Sequence, residues 1–337
     1  MKQSCIALLV AAVVLSVAVS AWGEHVWKDG QWVESPEPAE GTAPGELELI
    51  RKHLEADEPD DAADAAEDFL QDYPDHPGRQ EAMILWAQAE MADGDYYDAY
   101  ERFEAYLDAY PSGRYVDRAL RRELEIGTAF LQGRRRKVLL VIPLPGAPDG
   151  VEIIEKVIAR APRSRPAALA MLRLAEYYMD HGRYGRAVET CDQFLQAFPD
   201  APESPEMMLT AARATYRSFK GPAFDDTPLL EAEQRFRLFV ERYPERAADQ
   251  GARRTLEQIR ELRASKLMKT ASFYRRVGRR GSAIYYYRRL VERYPETTSA
   301  EEARAALDAL GAAATAPEPP AAATRPAGTG PEESESR

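Results

Sequence analysis

The chain has 337 residues, 45% apolar and 30% charged, enough to bury a sizeable core in one elongated domain or two compact ones. That composition excludes a chain disordered throughout, and a net charge of −12 argues against nucleic acid as a partner. There are only two cysteines, Cys5 and Cys191, so a disulfide-stapled fold is excluded as well.

Residues 1–23 read as an export signal. Lys2 supplies a positive start, Ile6 to Ala18 is an almost unbroken apolar run, and Ala18-Val-Ser20 or Ala21-Trp-Gly23 offers small residues for cleavage. The alternative is a retained membrane anchor, but the run is short for a span of roughly 20 residues. With the signal goes Cys5, leaving Cys191 alone in the mature chain, so stability must come from packing.

Residues 24–45 form a leader and linker. Val26-Trp-Lys-Asp-Gly-Gln-Trp-Val33 places Asp-Gly between two short arms, the cue for a two-residue hairpin in which Trp27 faces Trp32. An isolated hairpin is marginal, so this is a floppy leader or a loosely docked clip. Residues 34–45 are a linker by composition.

From Glu46 onward the chain is helical and repetitive. Phe69-Leu-Gln-Asp-Tyr-Pro74 returns as Tyr106-Leu-Asp-Ala-Tyr-Pro111, Phe194-Leu-Gln-Ala-Phe-Pro199, Phe239-Val-Glu-Arg-Tyr-Pro244 and Leu290-Val-Glu-Arg-Tyr-Pro295, with a shorter echo at Val157-Ile-Ala-Arg-Ala-Pro162. Proline disfavours helix in the residue before it, so each copy is a helix end. Helices are predicted over 81–91, 96–110, 168–179, 184–198, 229–243, 248–263, 266–276 and 282–294, with glycine turns at Asp93-Gly-Asp95, His181-Gly-Arg183 and Val277-Gly-Arg-Arg-Gly281. Small residues recur at matching places: Ala87, Ala175 and Ala271 in the first helices, Ala99, Ala187 and Ala283 in the second. Phe103, Cys191 or Tyr287 follows each second alanine by four positions and is read as filling the gap between pairs.

This helix, tight turn, helix, proline unit resembles the tetratricopeptide repeat, whose period is about 34 residues. Here Pro74 to Pro111 and Pro162 to Pro199 are 37 apart, whereas Pro111 to Pro162, Pro199 to Pro244 and Pro244 to Pro295 are 51, 45 and 51, which implies insertions. The fold class expected is therefore all-α, a tetratricopeptide-repeat solenoid of about five to six helix pairs over residues 46–310. The first insertion, Arg134 to Gly146, is the least helix-like stretch. It reads as a loop whose Val138–Ile142 packs on the adjacent pair, since an exposed apolar run invites aggregation. Its basic cluster Arg134, Arg135, Arg136 and Lys137 is a candidate partner contact. The second insertion, Phe219 to Pro228, reads as a turn, with Asp225, Asp226 and Thr227 starting the next helix by capping.

The order of long repeats, the Lys220-Gly-Pro-Ala-Phe-Asp-Asp-Thr-Pro228 segment, the linking helix and the final Ala271–Thr297 repeat resemble the outer-membrane assembly lipoproteins of the BamD/YfiO type, over roughly 46–310. The resemblance implies an all-helical periplasmic scaffold of the machinery that folds β-barrel proteins into the outer membrane of Gram-negative bacteria. It also implies protein partners: the barrel subunit, through its periplasmic domains, and unfolded barrel segments received in a groove of the N-terminal repeats. Family lipoproteins carry a Cys directly after the signal's apolar run. Here Cys5 precedes the run and Ala18–Gly23 has none, so membrane association is expected to be indirect, in the periplasm or at the periplasmic face of the outer membrane.

Charge is unevenly placed. Glu46–Tyr110 holds 20 Asp or Glu against four Lys or Arg, a net of −16, whereas Lys266–Pro295 holds nine Lys or Arg against one Glu, a net of +8. Such runs are ordinarily the solvated faces of long helices. The functional alternative is that the basic repeat docks an acidic partner domain, because complementary fields speed and orient encounter. On that reading Arg275, Arg276, Arg279 and Arg280 are candidate partner contacts. In tetratricopeptide repeats the first helix of each pair lines the concave face, which nominates Glu81, Gln88 and Glu176, with Arg275 and Arg276, for a groove. Tyr287 belongs to the repeat core, and Tyr285–Tyr287 cannot share one face of a helix.

Nothing in the chain has the pattern of catalysis. The four histidines are scattered without metal-ligand spacing, no glycine-rich phosphate loop follows a strand, and no nucleophile elbow or Cys–His pairing occurs. No enzyme, cofactor or metal is expected. The reading is a binding scaffold for β-barrel assembly. The alternatives are a periplasmic repeat protein coordinating peptidoglycan synthesis or cell division and, less favoured, an envelope hydrolase on a helical superhelix, for whose catalytic domain the chain has no room. The tail 311–337, rich in Ala, Pro, Thr and Glu, is expected to be disordered.

Overall fold

Proline and hydroxyl chemistry start several of the helices, and aromatic-proline pairs end several others. The structure, a computed structural model, describes residues 25–28, 31–34, 39, 41–138, 142–221 and 225–311. The expected signal segment and the tail beyond Gly311 lie outside these residues. The helices are α1 (Ala43–Glu55), α2 (Pro59–Asp72), α3 (Arg79–Asp93), α4 (Tyr96–Ala109), α5 (Val116–Leu131), α6 (Ala147–Arg160), α7 (Arg165–Asp180), α8 (Tyr184–Ala197), α9 (Ser204–Arg217), α10 (Thr227–Arg242), α11 (Pro244–Asp249), α12 (Ala252–Arg276), α13 (Arg280–Arg293) and α14 (Thr298–Ala309). Two short antiparallel hairpins accompany them: β1 (His25–Lys28) with β2 (Gln31–Glu34), and β3 (Arg135–Val138) with β4 (Ile142–Pro145). The fold is the all-α helical repeat that the periodicity predicts.

At the N-termini of α1, α7 and α14 the hydroxyls of Thr42, Ser164 and Thr297 accept from the backbone N–H three residues on. At the other end, Tyr73, Tyr110, Ala161, Phe198, Tyr243 and Tyr294 adopt one shared geometry, with φ between −125° and −140° and ψ between 53° and 65°. Each still donates its N–H to the carbonyl four residues back, but the following proline holds it out of the helical region. The rings of Phe69 and Tyr73, Phe194 and Phe198, and Phe239 and Tyr243 meet at a tilt one turn apart, with centroids 5.1 to 5.7 Å apart. Between paired helices, Gly94, Gly182 and Gly278 take φ of 93°, 67° and 76°, a conformation that a residue with a Cβ adopts only under strain.

The backbone divides into two compact units, with the division inside α5 after Ile126. The first holds α1 to α4, the start of α5 and the β3–β4 hairpin. Its core gathers Leu47, Ile50, Ala62, Ala66, Phe69, Ala82 and Leu85 from three successive helices. In the second unit, Met171, Ala175, Cys191, Phe194 and Met207 form one cluster, Leu209, Phe236, Phe239 and Ile259 the next, and Ala271, Ala283, Tyr287, Leu290 and Leu307 the last. The recurring alanines Ala87, Ala99, Ala175, Ala187, Ala271 and Ala283 are all buried, as are Phe103, Cys191 and Tyr287 four residues after the second-helix set.

Several boundaries differ from expectation. The stretch 134–146, read as a loop, is a hairpin in which Arg136 pairs with Leu144 and Val138 with Ile142, because β-branched and proline-edged residues favour extended backbone. The packing proposed for its apolar side chains lies outside the described residues. The helices expected over 248–263 and 266–276 are one 25-residue helix, α12: Arg263-Ala-Ser-Lys266 contains no breaker, and the actual break is Gly251 at φ 66°. The start of α10 is organised by Asp225, whose Oδ1 accepts from the Thr227 N–H at 3.2 Å, whereas Asp226 makes no capping bond. The leader hairpin has the register that Asp-Gly implies, with Trp27 opposite Trp32.

Candidate functional site

The end of α12, the glycine turn and the start of α13 set four arginines within six residues. Arg275 and Arg276 close α12, Arg279 precedes α13 and Arg280 opens it, and all four are exposed. The Arg280 guanidinium donates to the Leu310 carbonyl at the end of α14. Among the described residues, no carboxylate forms an ion pair with Arg275, Arg276 or Arg279. Neighbouring basic residues differ: Arg260 reaches Glu296 at 3.2 Å and Lys266 reaches Asp226 at 3.5 Å. At this turn the positive charge of Arg275, Arg276 and Arg279 thus has no ion-pair partner among the described residues.

Two apolar side chains sit in the same place. Phe273 and Val277 are each 51% exposed, one helical turn apart. Reading the sequence for charge passes over them. The available signal was register, since Phe273 lies about 200° round the helix from buried Ala271 and so cannot share its core face. Tyr274, by contrast, stacks on Tyr286 at 5.3 Å and belongs to the packing between α12 and α13.

The other nominated residues are scattered. Arg134 and Arg135 are exposed at the entrance to β3, while Arg136 and Lys137 are placed by their backbones opposite Leu144 and Pro143. Glu81 on α3 is partly buried and engaged, its Oε1 accepting from Arg51 Nη2 at 2.6 Å. Burial pushes the Glu81 carboxyl up, but the hydrogen bond and charge of Arg51 outweigh it, and the net displacement is below the usual glutamate range. Gln88 is half-buried on the same helix, and Glu176 is exposed on α7 and paired with Arg173 at 3.0 Å.

Reactive groups are few and muted. Cys191 is buried, and burial foremost, with Asp192 adding to it, pushes its thiol up to about 12, the opposite of an activated nucleophile. His53, Glu58 and Asp61 bring one ligand atom each within 4.8 Å of one another, which their spacing did not suggest. They stand at the surface, where such groups are common without an ion. Among the described residues no helix is long and apolar enough to cross a membrane.

The model of the family described as "YfiO: Outer membrane lipoprotein" matches residues 148–322, more than half of the chain. The chain belongs to the YfiO family. The matched stretch takes in α7 to α14, including the arginine turn, while α1 to α5 precede it. No curated protein matches the chain. Among solved structures it is similar to the C-terminal part of a TPR repeat-containing protein from Cytophaga hutchinsonii, at 15% identity and a TM-score of 0.40, over 78% of this chain and 88% of that one. A tetratricopeptide repeat protein from Parabacteroides merdae matches at 11% identity and a TM-score of 0.36, over 80% and 86%. PilW, a type IV pilus biogenesis factor, matches at 17% and 0.30, over 78% and 99%.

Proposed function

We propose that this YfiO-family chain is a non-catalytic scaffold of the cell envelope that binds partner proteins in the assembly of outer-membrane β-barrels. Membership of an outer membrane lipoprotein family supports the compartment and the process. The observation that carries the contact itself is the turn Arg275–Arg280, where exposed arginines lie within a few residues of the exposed Phe273 and Val277. Such a surface suits an acidic partner domain that presents an apolar side chain. The charges steer and orient encounter, while the apolar pair, once dried, supplies the lasting part of the contact.

The acidic repeats over Glu46–Tyr110 carry the opposite field and would receive a different protein segment, with Glu81 and Gln88 on its path. Reversing Arg275, Arg276, Arg279 and Arg280 to Glu should weaken the partner contact roughly tenfold or more at low ionic strength, and by less in high salt, with helical content unchanged by circular dichroism. Unchanged affinity in the folded variant would remove this turn from the interface.

A further inference from the structure

In the second unit, the first turns of α9, the end of α10 and the short α11 border a solvent-open pocket of about 230 Å³ that the proposed contact does not use. Leu209 and Phe239, both buried, form its apolar side, and Glu206, Arg213, Arg246 and Gln250 form its polar side. Arg213 is half-buried, and its Nη2 donates to the main-chain and side-chain oxygens of Gln250 at 3.3 and 3.2 Å. Among the described residues, no carboxylate pairs with Arg213 or Arg246, and no acceptor is bonded to Nε or Nη1 of Arg213.

The pocket thus holds a cation whose nearest counter-charge, Glu206, acts on it without forming an ion pair. Burial foremost, and then the charge of Arg217, lower the Arg213 pKa, with Glu206 working the other way, yet a guanidinium stays charged throughout the accessible range. An entering anion would use donors already desolvated in part, which is where a charge-assisted fork is strongest. Two arginines against one glutamate leave the wall singly positive, which suits a monoanion better than phosphate, whose second charge would face Glu206. The apolar side requires an apolar body on the ligand. The volume is below that of an ordinary cofactor pocket and admits a group of about one amino acid.

We propose that this cavity is a binding site for a monocarboxylate carried on an apolar body, with Arg213 as its clamp and Leu209 and Phe239 as its floor. The carboxylate has two sources with the same chemistry, an acidic side chain within a protein segment or a small free acid. The test is ligand-observed saturation-transfer NMR on the full chain with millimolar N-acetyl-phenylalanine, its carboxamide, inorganic phosphate and the capped tripeptide acetyl-Phe-Glu-Phe-amide. At least one of the two carboxylates should bind, and the carboxamide and phosphate at least tenfold more weakly. Tripeptide binding alone points to a protein segment, and binding of the free acid alone to a small molecule. Arg213→Gln should lose that binding at least tenfold, and Arg246→Gln, an exposed position that leaves packing untouched, should weaken it too. Equal binding of acid and carboxamide, binding of neither carboxylate, or full binding by both variants would overturn the proposal. No partner protein enters the readout, so the result stands apart from the arginine-turn reading.

Discussion

Arg263 on α12 and Glu233 on α10 form an ion pair with both side chains almost wholly buried, at 8% and 6% exposure. Glu233 also accepts from Arg237 at 3.0 Å, and the Arg263 guanidinium lies 5.7 Å from the Tyr294 ring centroid, so the pair joins α10, α12 and the end of α13. Breaking such a pair strands a charge in a low dielectric. Arg263→Ala should cost about 3–5 kcal/mol, toward the lower figure because Arg237 still reaches Glu233. Urea unfolding should show the double variant Arg263→Met with Glu233→Leu closer to the parent than Arg263→Ala.

That pair also marks where sequence reading stops. The helix ends were legible because Tyr-Pro and Phe-Pro constrain the backbone locally, and the alanine positions because a repeat shows its core by recurrence. Arg263 and Glu233 are 30 positions apart and belong to helices of different repeats, so no local period couples them. Arg263 also sat where a boundary between two helices was expected. The four arginines of the α12–α13 turn were visible as charge. Phe273 and Val277 beside them were passed over, although register from the core position Ala271 already turns Phe273 off the core face; their exposure itself comes from the structure. The hairpin over 135–145 was missed because a basic run followed by prolines carries no alternation.

Close approach of α5 and α6 makes a second test. A Cβ on Gly150 would stand 2.7 Å from the Gly127 carbonyl oxygen and 2.9 Å from the Leu131 nitrogen, backbone atoms that cannot swing aside. Gly150→Ala should therefore destabilise by about 1–3 kcal/mol, as overpacking does. Gly185 on α8 has open space at the same point, and Gly185→Ala should be neutral or stabilising by up to about 1 kcal/mol. Thermal melts of the two variants should move in opposite directions or leave Gly185→Ala unmoved.

The Arg51–Glu81 pair predicts a pH dependence. The folded pKa of Glu81 lies below the ordinary glutamate value of 4.5, so its ionised form stabilises the fold above that pH. The contribution is lost as pH falls from about 4.5 through the folded value. The pair is only partly buried and solvent still screens it, which keeps the effect to about 1 kcal/mol. Glu81→Gln should lower the melting temperature at pH 7, and the difference from the parent should shrink at pH 3. A difference that persists at pH 3 would mean that Glu81 acts through packing.

The arginine turn is proposed to dock a protein of the barrel-assembly machinery. The most direct test of this is a tagged pull-down from gently solubilised envelopes of the native host, read by mass spectrometry, comparing the parent with the variant carrying Glu at 275, 276, 279 and 280. The barrel-assembly subunit should be recovered with the parent and lost with the variant. Recovery of peptidoglycan or division enzymes in its place, or equal recovery of the barrel subunit by both proteins, would contradict it.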